Sequence, residues 1–163
     1  HVFLLATQNR IPFETSSISY VKSFDLIHCD VWGPYSVPAL SGAKYFLTIV
    51  DDYSRSTWLY LMQHKSEVTT YLPHFFAMIK THFNLTIRQV RTDNGTEFFN
   101  HTIKHFFSSL GVIHQHSCVG TPQQNGVVER KHRHLLNIAR SLPFQSNLPL
   151  SFWGLCSNCY IFN

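Results

Sequence analysis

The stretch from Arg91 to Leu136 constrains the fold most, because it carries carboxylates on two different kinds of element. Asp93 follows a β-type run over 85–92 and comes directly before Asn94-Gly95, a pair that favours a turn. Glu129 lies 36 positions later, inside a helical pattern rich in Arg, Lys and His. The two acids are therefore predicted at the end of a strand and on a later helix.

A third acid, Asp30, ends another apolar run just before Trp32-Gly33-Pro34. Two acids at strand ends and one on a helix can converge on a divalent metal, because Mg²⁺ prefers a few hard oxygen ligands. Lone acids are usually solvated surface groups, so both interpretations stay open on these residues alone. The other acids that compete for these roles are Asp25, Asp51, Asp52 and Glu97.

Three of these competitors have simpler explanations. Asp51 and Asp52 come at a strand end and are interpreted as a turn that pairs with Arg55. Glu97 fits an acid near the N-terminus of a helix, where a negative charge meets the positive end of the helix dipole.

Length, charge and cysteine spacing narrow the class of protein. A chain of 163 residues suits one domain with a real core, and a net charge of +4 is compatible with a polyanionic partner. Four unevenly spaced cysteines argue against a secreted disulfide scaffold. Cys156 and Cys159 form half a zinc motif with no second pair nearby, so surface or core cysteines are favoured. No signal peptide or membrane-spanning run is recognised, so the protein is not expected to be secreted or membrane-bound.

Hydrophobic periodicity predicts an α/β domain with a mixed sheet. The order is β, β, β, α, β, α, β, α, with strands predicted over 24–31, 44–54, 54–63, 85–93 and 111–116, and helices over 66–80, 98–110 and from about 127 to Pro143. The second and third strands are expected to pair as a hairpin. Pro73 is expected to kink the first helix or delay its start. A mobile loop is predicted over 117–126, and the last helix should bury Val128, Leu135, Ala139 and Leu142.

Four motifs carry a resemblance to a known family. HCDVWGP, FLTIVDDYSR, VRTDNGTEF and TPQQNGVVERKHRHLL resemble the integrase catalytic core of copia-type LTR retrotransposons, over roughly residues 8–154. That family shares the RNase H-like fold with retroviral integrases and DDE transposases. The resemblance implies a mixed five-stranded sheet, its first three strands antiparallel, flanked by helices. It also implies that Asp30, Asp93 and Glu129 are an acidic triad that binds two Mg²⁺ or Mn²⁺ ions.

The implied reaction is DNA integration. Water attack would trim the 3′ end of the element's cDNA, and the new 3′-hydroxyl would then attack target DNA. The resemblance also suggests loop residues that shape the site near DNA, namely Asn94, Gly95, Gln123, Asn125 and Gly126. Candidates for phosphate contacts are Arg130, Lys131 and Arg133, although an ordinary solvated helix face explains such residues too. His132 and His134 are interpreted as helix residues without a specific role.

The ends of the chain depart from the family pattern. Residues 1–22 are interpreted as an irregular lead-in left from the region after an upstream zinc domain, 23–154 as the catalytic core, and 155–163 as a truncated or divergent end. The first six residues contain no cysteine, so no zinc is expected in this fragment. The full-length protein is expected to act as a homo-oligomer on cDNA ends and target DNA. It would work in the nucleus at integration and in a cytoplasmic particle before it.

Two other functions stay open. The chain could be a catalytically silent nucleic-acid-binding relic of such a core. It could also be an RNase H-type nuclease, which would need a fourth acid near the C-terminal helix. No acid follows Glu129 in the sequence, and this favours an integrase.

Overall fold

The structure, a computed structural model, describes residues 20–116, 126–145 and 149–156. Nine regular elements follow one another in these ranges: β1 (Leu26–Trp32), β2 (Tyr45–Asp51), β3 (Thr57–Met62), α1 (Val68–Phe83), β4 (Gln89–Thr92), α2 (His101–Leu110), β5 (Ile113–His116), α3 (Gly126–Gln145) and α4 (Trp153–Cys156). Short 3-10 helices precede α1 and α4. The predicted order of strands and helices is confirmed. None of the described helices is long and apolar enough to cross a bilayer.

The five strands form one mixed sheet in the order β3-β2-β1-β4-β5. β1, β2 and β3 pair antiparallel, and β4 pairs parallel with both β1 and β5. The predicted mixed five-stranded sheet and the hairpin of its second and third strands are therefore confirmed. β1 lies at the centre, so any residue that ends this strand is flanked by β2 on one side and by β4 on the other.

Helices cover both faces of the sheet, which explains why β2 is buried along almost its whole length. On one face, α1 buries a stripe at helical spacing, Val68, Leu72, Phe75 and Ile79. On the other face, Leu135 of α3 packs with Phe46 and Trp153 in a smaller cluster. Neighbouring residues of β1 point to opposite faces, so Cys29 joins the α1 side while Asp30 faces α3.

Two prolines lie inside helices of the structure. Pro73 lies inside α1, which begins five residues earlier at Val68, so the proline does not delay the helix. It forfeits one backbone hydrogen bond, while the buried apolar stripe of the helix is kept. The prediction that Pro143 ends the last helix was wrong, because α3 continues to Gln145. Near the end of a helix, a proline again removes only one donor, and its fixed φ suits helical backbone.

Element boundaries account for the other differences. β4 is shorter than the predicted run over 85–93, because Leu85 and Thr86 are exposed and find no strand partner among the described residues. α2 begins at His101 rather than at 98, since the side chain of Asn100 caps it. Val128 and Leu135 are buried as predicted, whereas the side chains of Ala139 and Leu142 lie outside the described part. Residues 1–19, 117–125 and 157–163 also lie outside it, and with them the predicted lead-in, most of the predicted loop and most of the predicted divergent end.

The cap of α2 gives a first stability test. The Oδ1 atom of Asn100 accepts a hydrogen bond from the backbone N–H of Ile103 at 2.9 Å, and its Nδ2 donates to the carbonyl of Glu97 at 2.8 Å. We expect Asn100→Ala to lower the free energy of unfolding by about 1 kcal/mol, measured by urea denaturation, because a helix N–H loses its acceptor. Asn100→Asp keeps the acceptor and should lose less than half as much. Equal losses in both variants would contradict the role of the cap.

His114 of β5 gives a second test. Its Nε2 lies 2.9 Å from the hydroxyl of Thr92, which donates its own proton to the carbonyl of Asp93. The imidazole must therefore donate from Nε2 to that hydroxyl. Burial lowers the pKa of His114 below 6.5, and the positive charges of His116 and Lys104 lower it further.

Because this folded-state pKa is depressed, the unfolded chain binds the proton more readily. Stability should therefore rise with pH between the folded pKa and about 6.5, and fall as the solution is acidified through that window. We expect His114→Gln, which keeps a donor near the Nε2 position, to flatten the pH dependence of the melting temperature below pH 7. His82→Gln removes an exposed histidine and serves as the control. Equal flattening in both variants would contradict the assignment.

Candidate active site

The parallel pairing of β1 with β4 brings two of the predicted acids together. Cys29 of β1 aligns with Thr92 of β4, and each of these residues precedes an acid. Asp30 and Asp93 therefore lie next to each other where the pairing of β1 with β4 ends, although β1 itself continues to Trp32. Two polar side chains at such an edge can act on one ligand.

The turn after β4 holds Asp93 in a tight arrangement. Its Oδ1 atom accepts a hydrogen bond from the backbone N–H of Gly95 at 2.9 Å. A Cβ atom on Gly95 would lie 2.9 Å from that oxygen and 2.8 Å from the carboxyl of Glu97. Only glycine fits here without displacing one of the two acids, which explains Asn94-Gly95 in physical terms.

Asp30 is the most perturbed acid of the site. Its side chain is 14% exposed, and its Oδ1 accepts a hydrogen bond from the N–H of Val31 at 2.9 Å. The pKa of Asp30 is raised to about 7, chiefly by burial and then by the negative charges of Asp93, Glu129 and Glu97, against the opposing effect of the Val31 hydrogen bond. These carboxylates are close enough to repel one another.

α3 supplies both an acid and a buried imidazole to this edge. Glu129 lies in the first turn of the helix and is exposed. His132 is buried, with its Nδ1 atom 3.5 Å from Oδ2 of Asp30 and its ring against the edge of Phe46. Burial lowers the pKa of His132 to about 4, so its imidazole is neutral at pH 7. At 3.5 Å the contact is a weak polar one rather than an ion pair.

The acids have the chemistry of a divalent metal site. Carboxylate oxygens are the ligands that Mg²⁺ prefers, and the mutual repulsion that raises the pKa of Asp30 is what a bound cation would relieve. Across the described ranges, no three His, Cys, Asp or Glu side chains stand close enough to bind a metal as placed. The three acids thus offer the type of oxygen ligand that a divalent metal ion prefers, but as placed they do not form a complete set of metal ligands.

The residues predicted to contact DNA fall on different surfaces. Asn94 is exposed beside Asp93, and Gly126 begins α3. Arg133 lies one helical turn after Glu129 and shares its side of the helix. Arg130 and Lys131 point away from that side, since each helical residue advances by about 100°. Gln123 and Asn125 lie outside the described residues.

The sequence did not indicate the contacts that His132, Glu97 and Lys65 make at this edge. His132 was dismissed, although its spacing from Val128 and Leu135 already placed it on the buried side of α3. Glu97, interpreted from the sequence as an acid near the N-terminus of a helix, lies shortly before α2, but it is buried and its Oε1 accepts a hydrogen bond from Nζ of Lys65 at 3.0 Å. No local signal links residues that lie 32 positions apart.

Comparison with known proteins identifies the family of the chain. A model of the family described as "Integrase core domain" matches residues 21–122, which include Asp30 and Asp93. The chain is 36% identical over 162 residues to the "Retrovirus-related Pol polyprotein from transposon TNT 1-94" of Nicotiana tabacum, covering 98% of this chain and 12% of that protein. It is 34% identical over 152 residues to the corresponding polyprotein from transposon RE1 of Arabidopsis thaliana, covering 92% and 10%.

A solved structure supports the fold independently. The chain superposes with a TM-score of 0.64 on a chain of the simian T-cell lymphotropic virus intasome in complex with PP2A regulatory subunit B56 gamma. The match covers 82% of this chain and 47% of that one, at 20% identity. The sheet and its flanking helices are thus of the RNase H-like kind that the motifs implied, and the chain belongs to the integrase core domain family.

Proposed function

We propose that this chain is a catalytic core that cuts and joins DNA with the help of two divalent metal ions. The observation that carries the proposal is that Asp93 and Glu129 lie near enough to Asp30 for their negative charges, together with burial, to raise its pKa to about 7. Such an accumulation of carboxylates is unfavourable unless a cation is bound there.

Asp30, Asp93 and Glu129 would hold two Mg²⁺ or Mn²⁺ ions. When bound, such a pair activates the attacking oxygen and stabilises the leaving oxygen of an in-line displacement at phosphorus. The attacking oxygen belongs to water in 3′-end processing and to the cDNA 3′-hydroxyl in strand transfer. In each step one P–O bond forms, the bond to the 3′ oxygen breaks, and that oxygen takes up a proton.

The chain's own residues orient the acids for this task. The N–H groups of Val31 and Gly95 each fix one carboxylate oxygen, Oδ1 of Asp30 and Oδ1 of Asp93, and so hold the two acids in a defined orientation. His132 is buried and covers the side of Asp30 that faces α3. Since the imidazole of His132 is neutral, it does not compensate the negative charge of the Asp30 carboxylate, and a cation can still bind there.

The setting of the reaction is inferred from the relatives. The chain spans only 10–12% of the length of the polyproteins it matches, which are named as coming from transposons. The viral neighbour is part of an intasome. We therefore infer that the whole protein is a retrotransposon Pol polyprotein of copia type, whose integrase acts as a multimer on cDNA ends and target DNA. Its site of action would be the nucleus, after a stage in a cytoplasmic particle.

A catalytically silent DNA-binding core is the second candidate. It is favoured by the exposure of Glu129 and by the lack of a closed set of metal ligands among the described side chains. An RNase H-type nuclease is supported less well. The fourth carboxylate near Asp30 belongs to Glu97, whose charge is compensated by Lys65 at 3.0 Å, and it does not come from the C-terminal helix.

The decisive test is disintegration, the reversal of strand transfer on a branched DNA substrate, with Mn²⁺ or Mg²⁺. We expect Glu129→Gln to lower the rate at least about 100-fold, because a lost metal ligand withdraws several kcal/mol of transition-state stabilisation. The control Asp25→Asn removes a carboxylate that pairs with Arg88 and precedes β1, away from the acid edge, and should keep the parent rate.

Metal-induced thermal stabilisation provides a readout that does not depend on activity. The parent should melt at a higher temperature with Mn²⁺, and Glu129→Gln should lose most of that shift. A parent without disintegration activity and without a metal-induced shift would establish the silent core instead. Full activity in Glu129→Gln would refute the assignment of the third acid.

The ion pair of Lys65 with Glu97 should stabilise the turn that carries Asp93. The carboxylate of Glu97 is 5% exposed and the lysine side chain 43% exposed. We expect a double-mutant cycle of Lys65→Met and Glu97→Gln to give a coupling free energy of about 1–2 kcal/mol, since a charged hydrogen bond is made at a half-buried site. Denaturant unfolding measures it. Additive effects of the two substitutions would exclude the pair as a support of this turn.

A further inference from the structure

A basic cleft lies between α3 and the turn that joins β2 to β3. It is a cavity of about 510 Å³ lined by Arg55, Val127, Arg130, Lys131 and His134. Arg55 comes from the turn and the other four residues from α3. None of the three acids lines this cleft, so it is separate from the candidate active site.

The cleft lies on a different side of α3 from the acid. At about 100° per residue, Val127, Arg130, Lys131 and His134 share one face of the helix. Glu129 and Arg133 share a second face, while Val128, His132 and Leu135 form the buried third. The two adjacent residues Glu129 and Arg130 thus serve different surfaces, and the basic residues do not simply surround the acids.

The turn between β2 and β3 presents Arg55 in a fixed position. The carboxylate of Asp51 accepts hydrogen bonds from the N–H of Phe24, at 2.8 Å, and from the N–H and hydroxyl of Ser54, at 2.9 and 2.6 Å. The backbone N–H of Arg55 donates to the Asp51 carbonyl at 3.0 Å, and the Arg55 carbonyl accepts from the hydroxyl of Thr57. Hydrogen bonds thus fix the backbone of Arg55, from which its long, flexible side chain extends.

The backbone of Arg55 is left-handed, with φ of 62°. For a residue with a Cβ atom this conformation costs about 1–2 kcal/mol, which glycine would avoid. A strained residue at an exposed turn suggests that the side chain itself is used. The side chain of Arg55 is 53% exposed, and its one ion pair with the residues that the structure describes is a 3.5 Å contact with Asp52.

Positive charge predominates in the cleft. Asp52 is the one carboxylate of the described residues within 4.0 Å of Arg55, Arg130 or Lys131, and its Oδ1 lies closer to His28, at 2.7 Å. The guanidinium of Arg130 folds back over the start of α3, where a Cβ on Gly126 would lie 3.2 Å from its Nη1. Three positively charged side chains with little negative charge nearby favour a ligand that carries several negative charges.

We propose that Arg55, Arg130 and Lys131 form a clamp for the phosphates of duplex DNA, on the side of α3 that faces away from the acids. This inference rests on the proposed function, because the clamp would hold the DNA backbone at a distance from the reacting phosphodiester. Arginine and lysine contacts to phosphates position a duplex without reading its sequence. The new element is Arg55, which ends the motif FLTIVDDYSR but was not among the residues predicted to contact DNA, and which extends the binding surface from α3 to the sheet.

Binding without catalysis tests the clamp directly. The parent chain and its variants are titrated with a fluorescent duplex of about 30 base pairs in EDTA, at several salt concentrations. Each lost phosphate contact should reduce the slope of log K against log salt by about 0.9. We expect Arg55→Gln to reduce the slope by about one contact, and the triple variant Arg55→Gln, Arg130→Gln, Lys131→Gln by two or three, with at least tenfold weaker binding at low salt.

Lys104→Gln is the matched control, because it removes an exposed positive charge from α2, outside the cleft. Its salt slope should equal that of the parent. If Arg55→Gln and Lys104→Gln have the same effect, the clamp is refuted and the binding is only general charge attraction. Thermal melting of each variant verifies that the fold is retained.

Disintegration separates a failure of the clamp from a failure of the proposed function. With an active core, Arg55→Gln should raise KM at least about threefold for branched substrates with long arms and leave kcat unchanged. Substrates with short arms should show no difference. An inactive parent whose DNA binding still depends on Arg55 would refute the catalytic proposal and retain the clamp. A drop in kcat alone would refute the clamp as a DNA-positioning site.

Discussion

The candidate active site depends on the parallel pairing of β1 with β4. This pairing joins strands far apart in the chain and aligns Cys29 with Thr92, so that Asp30 and Asp93 come to the same edge. Bringing two carboxylates together costs free energy, and part of that cost is offset by backbone N–H groups that each bind one oxygen. The antiparallel hairpin on the other side of β1 keeps the strand central and buried. An acid at the edge of such a sheet is half enclosed, which makes its charge sensitive to any ligand.

Three sides of α3 have different roles at this edge of the sheet: one is buried, one carries Glu129 and one carries Arg130. Its buried face anchors the helix through Val128 and Leu135, next to Phe46 and Trp153. The helix thereby carries Glu129 to the acids with the precision of a packed element rather than of a loop. The same packing directs Arg130 away from Glu129, which keeps a guanidinium from pairing with the acid and compensating its charge. One helix can therefore offer a cation-binding acid and an anion-binding base on adjacent residues.

Local patterns predicted the order of elements because each strand and helix carries its own signal. The β-type run of β2 and the apolar stripe of α1 depend on neighbours in sequence, and both elements were found as predicted. Long-range contacts had no such signal. The pair of Lys65 with Glu97 and the buried position of His132 beside Asp30 arise only when distant elements pack. A local rule can also fail. Pro143 was expected to end the last helix, but α3 continues two residues beyond it.

The imidazole of His132 contacts Asp30 without placing a positive charge beside it, because burial keeps the imidazole neutral. A lysine or arginine in its place would form a salt bridge with Asp30, lower its pKa and compensate its negative charge. A purely apolar side chain would exclude water equally well, but would offer no polar atom to a carboxyl that is 14% exposed. Histidine does both, because burial keeps it uncharged while Nδ1 faces Oδ2 at 3.5 Å. Asp30 is thus covered by a residue that adds no positive charge, and a cation that binds the carboxylate would lower the raised pKa of this acid.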